Sequence, residues 1–178
     1  MHRLTEVGLG QSYETMTLSR TTEAWLAAGV DLQRHVAQIL DGITPHVEVI
    51  GSSSVLGLLA KPIIDLAVGL ASDQPVGPIA STLQGDGWIY RGDAGPDGGH
   101  VFVLEDRPWH RLAHLHVVTY DADSWRNYLR LRDLLRSSPD ARSRYEAVKK
   151  DLVKRERVDR SVYTRGKTEI VEALLAEA

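Results

Sequence analysis

Cysteine is absent from the 178-residue sequence. Disulfides, thiolate nucleophiles and thiolate zinc sites are therefore excluded. The sequence also lacks any apolar stretch near the roughly 20 residues that span a bilayer, and its beginning, "MHRLTEVGLGQSYETM", lacks the charged and then apolar order of a signal peptide. We expect a soluble cytoplasmic protein with no membrane partner.

The composition is typical of a folded chain of one domain. Apolar residues make up 43% of the sequence, which is enough for a hydrophobic core at this length. The sequence shows no repeat, no long low-complexity tract and no linker above a few residues. We therefore expect a single domain over residues 1–178, in which an N-terminal helix and a sheet (1–121) pack against a helical lobe (122–178).

The net charge of −3 hides an uneven distribution. Residues 1–125 contain 7 Lys and Arg against 15 Asp and Glu, whereas residues 126–167 contain 14 against 6. Clustered cations raise the local concentration of anions, so the basic part favours an anionic small molecule such as a polyphosphate. The alternative is solvated helix faces with ion pairs one turn apart. Nucleic acid is not the expected partner, because a duplex-binding protein usually carries a larger uncompensated positive charge.

Apolar spacing predicts an α/β (α+β) fold with a small mixed sheet of four or five strands. Residues 18–40 predict one long helix or two short ones. "HVEVI" predicts a strand, "SVLGLLA" a short helix capped by a serine, and "PIIDLAVGL" a central strand buried on both faces. A helix over 75–87 precedes three strands, "WIYRG", "HVFVLE" and "LAHLHVVTY".

The sequence after Asp121 predicts three helices. Each begins at a residue suited to capping, and Pro139 falls in the first turn of the second helix. These helices form the basic part of the chain. Four tryptophans are assigned mostly to the core or to the junction between sheet and helices: Trp25, Trp88, Trp109 and Trp125.

An ionisable residue, Asp65, lies inside the apolar strand "PIIDLAVGL". A buried carboxylate costs several kcal/mol unless it is paired, hydrogen-bonded or bound to a metal. Gly51, Ser52 and Ser53 follow the preceding strand, and a glycine-serine turn before a helix can bind phosphate through backbone N–H groups and hydroxyls. Asp65 would then hold Mg²⁺ against that phosphate. The alternative is that the serines merely cap the helix.

The segment "VEVIGSSSVLGLLAKPIIDLAVGL" resembles the signature of the GrpB (UPF0157) family, which belongs to the nucleotidyltransferase superfamily. "RLAHLHVV" is similar to a histidine-containing strand of that family. "LRDLLRSSPDARSRYEAVKKDL" and "VYTRGKTEIV" are similar to its C-terminal helices. The resemblance covers about residues 40–175 in the same order. It implies a nucleotidyltransferase-type sheet, with the Gly51 turn and Asp65 at its active edge and helices closing a nucleotide-sized cleft.

Three positions depart from the expected pattern. The superfamily writes its metal-binding motif as two carboxylates separated by one residue, whereas Ala67 follows Asp65 at that spacing here. The family's histidine before Ile-Gly is replaced by Val49, and a family proline by Leu56. Ala67 and Val49 favour a second hypothesis, in which the scaffold has lost nucleotidyl transfer. The alternative is that a non-acidic residue at the position of Ala67 is a feature of the whole family, and that Leu56 only relaxes a helix start.

Two histidines, His114 and His116, share one face of a strand because residues two apart point to the same side. In the family arrangement that face looks toward Asp65. Two imidazoles and one carboxylate form a plausible set of divalent-metal ligands, and the same three residues are the candidate catalytic groups. The alternative is two partly buried histidines hydrogen-bonded within the fold.

The candidate phosphate-binding side chains are cationic, because lysine provides a mobile point charge and arginine a two-pronged donor. Two tyrosines lie four residues before a candidate lysine and could stack on a nucleotide base, or could instead seal the packing of the helices. The resemblance supplies Lys61, Arg132, Lys149 and Lys167. The other candidate nucleotide-binding residues are Arg111 and the two tyrosines, Tyr145 and Tyr163.

The function expected from these features is a nucleotidyltransferase-like enzyme. It would bind a nucleoside triphosphate with Mg²⁺ or another divalent metal and act on a small-molecule acceptor. The alternative is a scaffold that binds an anionic metabolite, or catalyses a different biosynthetic reaction, without nucleotidyl transfer. The sequence does not identify the nucleotide or the acceptor.

Overall fold

A computed structural model describes residues 2–44, 46–95, 98–155 and 160–177. The strands are β1 (Gln11–Ser12), β2 (Ser19–Arg20), β3 (His46–Ile50), β4 (Leu59–Ala60), β5 (Ile64–Leu70), β6 (Ile89–Asp93), β7 (His100–Arg107) and β8 (His110–Thr119). The helices are α1 (His2–Glu6), α2 (Glu23–Ile39), α3 (Gly77–Gly85), α4 (Asp123–Ser137), α5 (Pro139–Arg155) and α6 (Arg160–Ala176).

The centre of the fold is a six-stranded mixed sheet. Its main path runs β3-β5-β8-β7-β6, and β1 pairs with the first residues of β8. β5 is antiparallel to β3 and parallel to β8, so it lies in the interior of the sheet. A separate pair, β2 and β4, lies outside this sheet. The predicted mixed α/β fold and the central position of β5 are confirmed.

The two faces of β5 differ in chemistry because alternate residues point to opposite sides. Ile64, Leu66 and Val68 are buried in the large apolar core that also includes residues of α2 and α3. Asp65 and Ala67 point to the other face, which α4 covers through Trp125. The candidate carboxylate therefore lies on the face of the sheet that the C-terminal helices approach.

α2 is a single helix that begins later than the sequence predicts. The Thr22 hydroxyl accepts a hydrogen bond from the Trp25 N–H at 3.2 Å and caps the helix. The residues just before it form β2, where Ser19 pairs with Ala60. Gly29 faces the sheet, where a Cβ would lie 3.4 Å from Val49, which allows the helix to approach closely.

The short helix predicted for residues 54–60 is wrong. A three-residue 3₁₀ turn, Ser52–Ser54, is followed by β4. Thr21 takes up backbone groups that a helix would need for its own hydrogen bonds. Its N–H donates to Leu58 O at 3.0 Å, and its carbonyl accepts from Gly57 N at 3.1 Å. A single 3₁₀ turn has no developed helix dipole, so the predicted helix N-terminus for phosphate is absent from this segment.

Three C-terminal helices follow the sheet, as predicted. Ser138 caps α5 by accepting from Ala141 N at 3.1 Å. The capping prediction for α4 is wrong, since Asp123 is its first helical residue and the preceding Ala122 provides no side-chain cap. Trp109 also differs from its prediction, because 68% of it is exposed at the turn between β7 and β8. The other three tryptophans are buried.

No helix within the described ranges has the length and apolar character required to cross a membrane.

Candidate functional site

The turn between β3 and β5 places a glycine directly against Asp65. Gly51 has φ +68° and ψ −171°, a backbone conformation that is essentially restricted to glycine. A Cβ at this position would lie 2.8 Å from Asp65 Oδ2. The glycine is therefore required twice, once by its backbone angles and once by the approach of the carboxylate.

Asp65 is paired with His114 across neighbouring parallel strands. The His114 Nδ1 donates a hydrogen bond to Asp65 Oδ1 at 3.2 Å, and each side chain is about one-quarter exposed. Burial raises the pKa of Asp65, but the hydrogen bond and charge of His114 and the charge of Lys167 outweigh it and lower the pKa to about 2. The carboxylate is ionised at neutral pH and reaches the surface.

His116 lies on the same face, but it contacts a different group. Its Nδ1 lies 3.0 Å from the Gly98 carbonyl oxygen, which can only accept, so Nδ1 carries the proton. Burial lowers the pKa of this imidazole and favours the neutral form. The structure thus brings Asp65 and His114 together and gives His116 a separate backbone partner.

These side chains do not form a complete metal site by themselves. Among the described residues, no group of three His, Asp or Glu side chains is arranged to hold a metal ion. At the position of a second carboxylate, Ala67 is fully buried with Trp125 and Val118. The donor set does not fit a two-metal centre. Asp65 fits one ion whose other ligands come from phosphate oxygens and water, as Mg²⁺ commonly prefers.

Lys149 is a buried cation beneath the Gly51 turn. Only 1% of the residue is exposed, and its Nζ donates to Ser52 Oγ and to Leu59 O, both at 2.8 Å. Burial and the charges of Lys167 and Lys61 lower its pKa to about 7, and Asp65 and Glu146 oppose this shift. Near neutral pH this amine therefore exchanges readily between charged and neutral forms.

The two candidate serines are engaged inside the protein. Ser53 is buried, and its Oγ accepts from the Asp65 N–H at 3.3 Å. Ser52 accepts from Lys149 and also hydrogen-bonds with the Tyr145 hydroxyl. Both serines therefore hold the turn, Asp65 and α5 in place, a role that the sequence alone does not distinguish from phosphate binding.

Two other predicted binding residues are also buried or paired within the fold. Arg132 donates to Glu48 Oε2 at 2.8 Å and to Val49 O at 3.3 Å, so it fastens α4 to β3. Tyr145 is 1% exposed in an apolar cluster with Val55, as the packing interpretation predicts. The side chain of Tyr163 lies outside the described residues.

Lys61 and Lys167 remain near the surface beside this group. Lys167 is exposed on α6, and its charge acts on both Asp65 and Lys149. Lys61, which follows β4, is partly exposed and acts on Lys149. Lys149 and Lys167 thus interact electrostatically with Asp65, and Lys61 interacts with Lys149.

Arg111 does not join this group. It lies on β8 beside β1, and its guanidinium carbon is 4.2 Å from the centre of the Tyr13 ring.

Sequence reasoning missed Glu146. Its Oε1 accepts from the Leu59 N–H at 3.0 Å and from Arg20 at 2.5 Å. The only available signal is its position one helical turn before Lys149 on α5, because residues three apart share a helix face. Glu146 and Lys149 together bind both backbone groups of Leu59.

This chain is similar to known proteins over most of its length. The family model described as "GrpB protein" matches residues 15–177. "Glutamate-rich protein GrpB" of Alkalihalophilus pseudofirmus is 32% identical over 136 residues, which cover 74% of this chain and 77% of the relative. The crystal structure of conserved protein GrpB from Enterococcus faecalis superposes with a TM-score of 0.75 and 26% identity, covering 90% of this chain and 98% of that one.

A more distant similarity concerns the fold alone. The Cid1 poly(U) polymerase, solved with Mg and 3′-dATP, has a TM-score of 0.58 at 16% identity, covering 83% of this chain and 49% of that one. The sheet with Asp65 on β5 and helices on its polar face therefore has a nucleotidyltransferase-type fold. With the family model matching over most of its length, the chain belongs to the GrpB family.

Proposed function

We propose that the chain is a nucleotidyltransferase-like transferase that binds a nucleoside triphosphate at Asp65 and transfers its nucleotidyl group to a nucleophilic oxygen or nitrogen of a small acceptor, with release of pyrophosphate and of the proton of that acceptor group. The phosphates would lie over the Gly51 turn, between the lysines that approach it from β4, α5 and α6. The observation that carries this proposal is the ionised carboxylate of Asp65 within electrostatic reach of Lys149 and Lys167, with Lys61 close enough to act on Lys149.

Electrostatics supports an anionic ligand here. The charges of Lys167 and Lys61 repel that of the buried Lys149, so the three cations raise each other's free energy. A triphosphate would relieve this repulsion, because its negative charge favours the protonated form of all three amines. Lys149 acts from beneath the turn, whereas Lys61 and Lys167 have access from the surface.

Asp65 would hold one divalent cation together with phosphate oxygens of the nucleotide. Such an ion would supply Lewis-acid stabilisation of charge on the phosphates. The chain's own residues bind and orient: Gly51 gives the ligand access to Asp65, His114 fixes the carboxylate through its Nδ1–H, and the lysines neutralise the phosphates.

A second function is favoured by Ala67. Its burial with Trp125 leaves no space for the second carboxylate of a two-metal centre. A scaffold that binds an anionic metabolite through the lysines, without a metal and without nucleotidyl transfer, would use the same cationic group. This alternative predicts binding that is indifferent to Mg²⁺ and unchanged by Asp65→Asn.

Calorimetric titration with ATP, GTP, CTP and UTP, each with and without Mg²⁺, separates these functions. Binding of at least one nucleotide that strengthens with Mg²⁺ supports the transferase. Binding that ignores Mg²⁺ supports the metabolite-binding scaffold. Absence of binding for all four nucleotides at millimolar concentration contradicts the nucleotide site.

A further inference from the structure

A cavity lies beside His114, over strands β7 and β8. Its volume is about 420 Å³, within the range of roughly 300–1,000 Å³ found for small-molecule sites. Val101 and Val103 of β7 provide apolar surface, and His114 and His116 of β8 provide two imidazoles. Tyr13, Arg91 and Arg111 complete the described lining.

The polar wall of this cavity includes Arg91 and Tyr13, which are both hydrogen-bonded to Glu105. Arg91 donates to Glu105 Oε1 at 2.8 Å and to the Tyr13 hydroxyl at 3.1 Å. The Tyr13 hydroxyl in turn donates to Glu105 Oε1 at 2.9 Å. Arg111 stacks on the Tyr13 ring, with the guanidinium carbon 4.2 Å from the ring centre. These contacts hold both guanidinium groups at the cavity before any ligand arrives.

The charge of this wall is positive. The Glu105 side chain is only 8% exposed, and its ion pair with Arg91 neutralises one of the two guanidinium charges. Arg111 adds a second guanidinium, and the described residues that line the cavity include no carboxylate. A guanidinium binds planar carboxylate and phosphate groups through two parallel N–H donors. The cavity therefore suits a ligand with an anionic group at one end and an apolar body at the other.

One imidazole separates this cavity from Asp65. The His114 ring lines the cavity while its Nδ1 donates to Asp65 Oδ1. A molecule in the cavity would thus lie over β7 and β8, on one side of Asp65, whereas the Gly51 turn follows β3, on the other side of β5 in the strand order. That position suits the acceptor of the nucleotidyl group better than it suits the phosphates of the nucleotide.

We propose that this cavity binds the acceptor, a small molecule with a carboxylate or phosphate at Arg111 and an apolar portion against Val101 and Val103. The assignment as acceptor rests on the proposed transferase function, whereas the binding of such a molecule does not. His116 adds a further polar side chain to the lining, and its Nδ1–H donates to the Gly98 carbonyl oxygen.

Binding of two probes, benzoate and phenyl phosphate, measured by saturation-transfer NMR and titration, tests the cavity. We expect at least one probe to bind at low millimolar concentration and to remain bound when ATP is added. Arg111→Gln should weaken binding at least fivefold, and Val101→Phe should weaken it by narrowing the cavity while keeping every charge. Arg107→Gln is the matched control, since this exposed arginine of β7 lies outside the cavity.

The outcomes separate the two proposals. Failure of both probes to bind, or equal weakening by Arg107→Gln and Arg111→Gln, overturns the cavity assignment. If Arg111→Gln lowers the melting temperature too far to measure binding, Val101→Phe decides the result. Probe binding without any nucleotide binding supports the cavity and contradicts the proposed transferase. Displacement of the probe by ATP overturns the assignment, because it would place the probe in the nucleotide site.

Discussion

The ammonium nitrogen of Lys149 and the hydroxyl oxygen of Ser52 lie 2.8 Å apart, although 97 positions separate the two residues in the chain. Burial makes a charged lysine costly, and this hydrogen bond with its counterpart at Leu59 O offsets part of that cost. Because Ser52 follows Gly51, the contact also fixes the turn beside Asp65. α5 must therefore dock correctly for the site to form.

Replacing Lys149 should change how stability depends on pH. Its folded pKa, about 7, lies below its ordinary value of 10.5, so the unfolded chain binds more protons between these values. Stability of the wild type should therefore rise with pH from about 7 to 9, by up to about 1.4 kcal/mol per pH unit. Urea unfolding of Lys149→Met should show a flatter profile.

The matched control for this measurement is Lys150→Met. Lys150 is exposed on the same helix and forms only a surface ion pair with Glu146 at 3.6 Å. Its replacement should keep the slope of the wild type. Equal slopes for wild type and Lys149→Met would show that Lys149 keeps an ordinary pKa in the folded protein.

Nucleotide binding should take up a proton above neutral pH. Because Lys149 is mostly neutral at pH values above its pKa of about 7, a bound polyphosphate that favours the ammonium form raises its protonated fraction. Affinity should decrease as pH rises from about 7 to 9. Calorimetry in two buffers of different ionisation enthalpy measures the uptake, which should approach one proton and vanish in Lys149→Met. Proton release would contradict this account.

Asp65→Asn should preserve the fold and weaken metal-dependent binding. Folding lowers the pKa of Asp65 from 3.8 to about 2, so loss of the charge should lower the free energy of unfolding at neutral pH by about 2 kcal/mol. Mn²⁺ or Mg²⁺-dependent nucleotide binding, measured by titration, should weaken at least tenfold. A variant that folds and binds with unchanged Mg²⁺ dependence would remove Asp65 from the ligand set.

Gly51→Ala should be more damaging than Gly57→Ala. Both glycines have positive φ, +68° and +75°, so each alanine strains the backbone, by about 1–3 kcal/mol. Only Gly51 has a neighbour within 4 Å of an added Cβ, Asp65 Oδ2 at 2.8 Å. Gly51→Ala should therefore lose roughly a further 1–3 kcal/mol and displace the carboxylate. Chemical unfolding and nucleotide titration of both variants test this, and equal effects on binding would contradict it.

Much of the fold is predictable because the apolar pattern is regular. β5 is predicted as a central strand since Ile, Leu and Val are continuous along it, and the parity of residues two apart correctly places His114 and His116 on one face. The 54–60 segment is mispredicted because its apolar residues fit helical spacing, whereas pairing with Thr21 and Ser19, more than 30 positions away, decides its structure. No local pattern records such a distant partner.

The site is predictable in its residue types but not in their burial. Glycine-serine and an isolated strand aspartate identify the turn and Asp65. Lys149 lies beneath the turn and Lys167 lies at the surface. The sequence cannot distinguish them, because each lysine comes one helical turn after a tyrosine. The pairing of Arg132 is equally hidden from the sequence, since its partner Glu48 lies 84 positions away. Burial of a charge depends on the final packing of helices on the sheet.

Glu146 and Lys149 hydrogen-bond to the N–H and C=O of Leu59, the two groups that a neighbouring strand would otherwise pair with. β4 is otherwise an open edge of a two-stranded ribbon, and open edges invite pairing with another copy of a chain. Two side chains of one helix close this edge without adding backbone. Movement of α5 away from β4 would therefore break both bonds to Leu59 and expose a strand edge competent for intermolecular association.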